Sequence, residues 1–158
     1  MTEQIELRKQ LISLIRGEHS HMSFLDAVKD FPEDAYNKKP TNVEYTFWHL
    51  LEHIRITQLD IIDFMVNPDY KEMKWPDAYW PKKETEATKE TWQKTIDDFL
   101  ADQKKLEDMA LDESLPLFDK IPHGDGQTYY REFVVVGNHN SYHIGEFAIL
   151  RQIEKLWK

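Results

Sequence analysis

Apolar residues recur at three- and four-residue intervals through four long segments of this chain, while two-residue alternation of strand length is scarce. Such a chain can bury its apolar surface only as packed helices. From about residue 2 to 16, Ile5, Leu11, Ile12, Leu14 and Ile15 share a face, and Gly17 then weakens the helix. A short helix is expected after Ser23, ending before Pro32. The second main segment should start after Thr41-Asn42, read as its caps, and reach Val66, with Phe47, Leu50, Leu51, Ile54, Gln58, Ile61, Ile62 and Met65 on one stripe. A third runs from about Thr85 to Leu111, with Trp92, Ile96, Phe99, Gln103, Leu106 and Ala110 inward. A loop over 114–127 carries Pro116, Pro122, Gly124 and Gly126, and a last helix extends from Thr128 to about Leu156. Residues 67–84 contain Asn67-Pro68, Trp75-Pro76 and Trp80-Pro81. Antiparallel neighbours need only a short loop, so this long connection predicts a crossover within an all-α four-helix bundle. A chain of 158 residues without repeats is read as one domain, 1–158.

Composition narrows the chemistry. With no cysteine there is no disulfide, thiolate ligand or cysteine nucleophile, so any metal must sit on nitrogen and oxygen, and any reacting thiol belongs to a substrate. Twenty Lys plus Arg against twenty-nine Asp plus Glu leave a net charge of −9, with no basic block. Phosphate backbones bind largely by charge neutralisation, so no nucleic-acid partner is expected. There is no apolar run of membrane-spanning length and no basic-then-apolar start, so no membrane partner is expected and the cytoplasm is the expected location.

The histidines carry the functional signal. His139 and His143, in His139-Asn140-Ser141-Tyr142-His143, lie four residues apart and roughly 40° apart around a helix. Glu132, Val135, Val136, Glu146, Leu150 and Ile153 share that largely apolar side, which should face inward. Two buried imidazoles must each satisfy a ring nitrogen, and one divalent cation satisfies both; core histidines bonded to carboxylates or carbonyls are the plain alternative. In Trp48-His49-Leu50-Leu51-Glu52-His53, His53 is the ring expected to turn inward and His49 should lie mostly in water. Spacing alone leaves His49 open as a ligand. His19 and His21 lie just past the break after the first helix and are read as surface residues, with His21 near enough to the bundle mouth to orient a ligand; His123 should be solvent-exposed in its loop. Glu-x-x-His occurs only as Glu18 with His21, which disfavours a ferritin-like di-iron site. The His-Glu-x-x-His, phosphate-loop, dinucleotide-loop and Gly-x-Ser-x-Gly patterns are absent.

Trp48 to Asp60, Tyr79-Trp80-Pro81, Gly124-Asp125-Gly126-Gln127-Thr128, Arg131-Glu132 and His139 to Gly145, in that order, resemble the DinB-like superfamily of bacterial four-helix bundles. The likeness runs from about residue 20 to Arg151. It implies an up-down-down-up bundle with the long crossover between its second and third helices, and frequent homodimers. It also implies a divalent ion, commonly zinc, nickel, iron or manganese, on one histidine of the second helix and two of the fourth. By position these are His53, His139 and His143. Where His49 stands the superfamily often has another residue, and at Glu146 it usually has glutamine; Glu146 is expected to form a salt bridge.

Three protein nitrogens leave a coordination position open, as in catalytic sites. Characterised relatives include S-transferases and isomerases that use low-molecular-weight thiols. The first functional expectation is therefore a metal-dependent thiol S-transferase or hydrolase, with Glu132 supporting the ion and Tyr142 or His21 touching substrate. Thiol transfer would require Arg55 or Arg131 to face the metal. The alternatives are a non-catalytic metal-binding stress-response protein, its coordination closed by a group such as Glu146, and a metal-free scaffold. The aromatic loop with Trp75, Tyr79 and Trp80 is expected either to roof the site or to cap the bundle core, with capping preferred.

Overall fold

The structure, a computed structural model, describes residues 2–18 and 20–157. It is all-helical: α1 Thr2–Arg16, the short α2 Phe24–Val28, α3 Phe47–Val66, α4 Lys89–Leu111 and α5 Tyr129–Ile153, with single 3-10 turns at Glu33–Ala35 and Asp77–Tyr79. Among the described residues there is no strand, only an isolated bridge between Lys120 and Thr128.

The helix bodies coincide with the apolar stripes, and the ends are set by hydrogen bonding. Gly17 adopts φ +72°, and its amide and that of Glu18 bond back to Leu14 O and Ser13 O, the paired bonds of a left-handed helix stop. α3 begins at Phe47, later than the expected start after Thr41-Asn42. Asn42 is itself left-handed at φ +63°, and the cap is Thr46, whose Oγ accepts from the His49 amide at 3.1 Å while the His49 ring faces the Thr46 amide. α4 likewise begins at Lys89 rather than Thr85. Asn37 clamps Ala87 through both backbone groups, Ala87 N to Oδ1 at 2.8 Å and Nδ2 to Ala87 O at 2.9 Å, and Thr88 becomes the cap. α5 starts next to Thr128, close to the expected position, with Thr128 as its cap, and stops at Ile153, short of Leu156, because Lys155 turns left-handed at φ +56° and Leu156 N bonds Arg151 O.

Hydrogen bonds fix how the helices run. Arg8 reaches Ala110 O and Leu115 O, Arg16 grips Glu107, and Gln103 bonds Ile15 O, so α1 and α4 are antiparallel. Trp48 donates to Thr95 and Gln58 to Phe99 O, so α3 and α4 run parallel, joined by the long 67–88 connection. Gln58 pairs with Asn140 and His53 with His143, so α3 and α5 are antiparallel.

Two apolar clusters fill the interior. One is aromatic, built around Phe24 stacked on Phe99 with Phe31, Phe47, Trp92 and Phe147; the other is built from Leu11, Ile15, Ile61, Met65, Leu106, Phe133 and Val136. Gln58 and Asn140, both essentially without solvent contact, pair across α3 and α5, Gln58 just over one turn beyond His53 and Asn140 next to His139 in the chain. Gln58 donates to Phe99 O at 2.9 Å and accepts from Asn140 at 2.8 Å. These bonds satisfy polar groups that would each cost about 1–3 kcal/mol if left unpaired.

Candidate metal centre

His53 on α3 and His139 and His143 on α5 come together, each offering one nitrogen, with all three atoms within 4.8 Å of one another. His53 Nε2 lies 3.2 Å from His139 Nε2 and 3.3 Å from His143 Nε2. Two nitrogens bound to one tetrahedral zinc at about 2.0–2.1 Å would sit about 3.3 Å apart, so the observed separations suit a shared ion.

The other edge of each ring decides which nitrogen keeps a lone pair. His53 Nδ1 donates to Tyr79 O at 2.8 Å, since a carbonyl can only accept, and its Nε2 is then a free acceptor when the ring is neutral. His143 Nδ1 donates to Glu146 Oε2 at 2.7 Å, with the same result. His139 Nδ1 has only a long contact of 3.5 Å with Asn140 Oδ1. Burial, the Coulombic repulsion of His143 and that of His53 push His139 down to about 4, and burial lowers His53 as well, so both rings are neutral at physiological pH. Facing lone pairs repel unless a proton or cation lies between them, and this is the donor set a divalent ion completes.

Glu146 forms the expected ion pair and more. Burial raises its carboxyl, but bonds from His143 and from the Tyr45 hydroxyl outweigh that and hold it below the ordinary range. Oε2 accepts from His143 and Oε1 from Tyr45, so Glu146 is tied to the outer edge of the His143 ring.

Several expectations need correction. His49 is 3 % exposed rather than in water: the segment before α4 crosses over it, and its Nε2 bonds Thr85 O at 2.9 Å, so it is a cap and a clasp and stands apart from the three rings. The aromatic loop does not simply cap the core, because Trp80 stacks flat on His53 at 4.0 Å and 2°, while the preceding Tyr79 supplies the carbonyl. Trp75 stays outside, 68 % exposed. Glu132 is buried but bonded to Arg131, two helical turns from His139.

His21 bonds Met22 O and Ser141 Oγ, not the triad; His123 is exposed, as expected, with Nε2 2.6 Å from Phe64 O; His19 lies outside the described residues. Tyr142 is exposed and meets the His143 ring edge-on at 4.8 Å. Arg55 is bound to Glu52 and Arg131 to Glu132, so each guanidinium is engaged by a carboxylate away from the three rings. Sequence reasoning missed Tyr45, which has no periodic signal because it precedes α3 in a loop. Its place is set only once Glu146 arrives from α5.

The sequence profile of the DinB superfamily matches residues 16–147, which include all three histidines. No curated protein and no solved structure matches the chain. The chain belongs to the DinB superfamily.

Proposed function

We propose that this DinB-superfamily protein is a metal-dependent hydrolase in which His53, His139 and His143 hold one divalent ion. The observation that carries the reading is the convergence of three Nε2 atoms within 4.8 Å, with the Nδ1 atoms of His53 and His143 committed to Tyr79 O and Glu146. A bound ion would supply Lewis acidity, polarising a substrate bond or acidifying a water, at a position the protein leaves open. An all-imidazole set suits zinc, nickel or iron, and manganese belongs among the ions to be tested.

The surrounding residues have separable tasks. Tyr79 O and Glu146 orient their imidazoles and raise the basicity of Nε2, while Tyr45 holds the carboxylate in place. Trp80 covers one face of His53 and keeps water from that side of the site. Glu146 bonds the outer Nδ1 edge of His143 while Nε2 faces His53, which favours an open site over one closed by this carboxylate. Hydrolysis is favoured over thiol transfer because Arg55 and Arg131, the cations an anionic thiol would need, are already bound to Glu52 and Glu132.

The finer architecture belongs to the same reading. The parallel α3–α4 register, with α1 antiparallel to α4 and α3 antiparallel to α5, supports an up-down-down-up four-helix bundle. Homodimerisation is supported by Tyr142, Ile149 and Ile153, 72, 61 and 56 % exposed and within roughly 40° of one another around α5.

A panel of activated esters and anilides tests the reaction class. Turnover should vanish on chelation, return with one equivalent of metal, and be lost in His139→Ala. Turnover only when a low-molecular-weight thiol is added would overturn the hydrolase in favour of an S-transferase, and metal-independent turnover would overturn the metalloenzyme.

A further inference from the structure

One helical turn beyond the histidines, at Thr57 on α3 and Val135 on α5, a cleft of about 610 Å3 opens between these helices and the loops before α4 and α5. Its floor carries an unfilled hydrogen-bonding demand. Thr57 is 8 % exposed, and its hydroxyl has no partner among the described residues; the same holds for the buried Oε1 of Gln127 across the cleft. Buried polar atoms are nearly always satisfied, so two orphans in residues lining one cleft mark a place where something else bonds. An amide oxygen can only accept, so the missing partner must bring a donor.

The charge of the walls says what kind of donor. Asp60, Glu72, Asp125 and Glu132 line the cleft, against one permanently charged cation, Arg131, which Glu132 already holds at 2.5 Å. Asp60 accepts from the Tyr79 hydroxyl at 2.8 Å and the Tyr70 hydroxyl at 3.0 Å. Burial still raises its carboxyl above the ordinary value, against those two bonds and with help from Asp63 and Glu72. A neighbouring cation would relieve that cost. Aromatic rings of Phe64, Tyr70, Tyr79 and Trp75 complete the walls and mouth, surfaces on which an ammonium group is attracted to the ring face.

We propose that this cleft binds a small organic amine as its ammonium cation. The amine donates to Gln127 Oε1 and Thr57, with Asp60 supplying the countercharge, Glu72 and Asp125 adding to it from the walls, and the aromatic rings packing on its carbon frame. Binding does not require the metal. Tyr79 nevertheless joins the two places, since its backbone carbonyl orients His53 while its hydroxyl reaches Asp60 in the cleft wall.

Benzylamine is the probe, with benzyl alcohol as its neutral counterpart and benzoate as the anion. Each is titrated by amide NMR into both metal-free and zinc-loaded protein. Benzylamine should saturably shift residues 57–64 and 123–135 in both forms, with the alcohol and the acid at least tenfold weaker. Asp60→Asn should weaken benzylamine at least tenfold; should that variant misfold, the surface pair Glu72→Gln/Asp125→Asn should weaken it about threefold. Equal binding of benzyl alcohol or benzoate, undiminished binding by the folded variants, or benzylamine shifts confined to the histidines and abolished by metal removal would overturn the proposal. Retained binding by a protein that takes up no metal would leave it standing while the hydrolase reading fails.

Discussion

At the scale of single residues, the division of labour within each imidazole matters most. Glu146 fixes His143 through Nδ1 and is itself held by Tyr45, so its influence on a metal is exerted through the ring. Glu146→Ala should weaken zinc affinity about 10–100-fold while the helical circular dichroism stays the same, and Glu146→Gln, which keeps an acceptor but loses the charge, should fall between. Competition with a chromophoric chelator reads both; an unchanged affinity in Glu146→Ala would remove the carboxylate from the site. His139 and His143 were legible in the sequence because helical periodicity is local, and a four-residue spacing on a mostly apolar stripe fixes direction and neighbourhood together. His49 was not, since its burial depends on Thr85, 36 positions away, crossing over it. The choice between roofing the site and capping the core was open for Trp80 and Tyr79 for the same reason: they sit in a loop whose path is set by tertiary contacts, and Trp80 packs on the core cluster as well as on His53.

At the scale of elements, apolar stripes located every long helix and hydrogen bonds moved the ends. Thr41 and Thr46 are equally good caps by local chemistry, and only the closure of Thr46 with His49 selects between them. Thr41 has another task, bonding Glu154 through its amide at 2.7 Å and its hydroxyl at 2.8 Å. Lys38 and then these two groups hold the Glu154 carboxyl down to about 2, fastening the loop before α3 to the end of α5. A carboxyl depressed in the folded state contributes stability that is complete above its unfolded value near 4.5 and lost as pH falls toward about 2. Metal-free protein should therefore lose thermal stability between about pH 4.5 and 2 more steeply than Glu154→Gln, and identical slopes would show that the fastening carries no linkage.

At the scale of the whole molecule, the 22 residues between Val66 and Lys89 exceed what an antiparallel turn needs, and the hydrogen bonds between the two helices they join run in parallel register. Gln58 and Asn140 gave no warning of their pairing: an amide on an apolar stripe looks like a tolerated exception until its partner is known. Their pairing lies next to the three histidines, which could hold a divalent ion between α3 and α5. An ion that binds only the folded chain stabilises it by mass action, about 2.7 kcal/mol at a hundredfold excess over Kd. The most direct test is elemental analysis of tag-free protein, exposed in turn to zinc, nickel, iron and manganese, beside the His53→Ala/His139→Ala/His143→Ala variant. About one metal per chain in the wild type and none in the variant is the expected result; a wild type that takes up none of the four ions, or a variant that retains them, would contradict it.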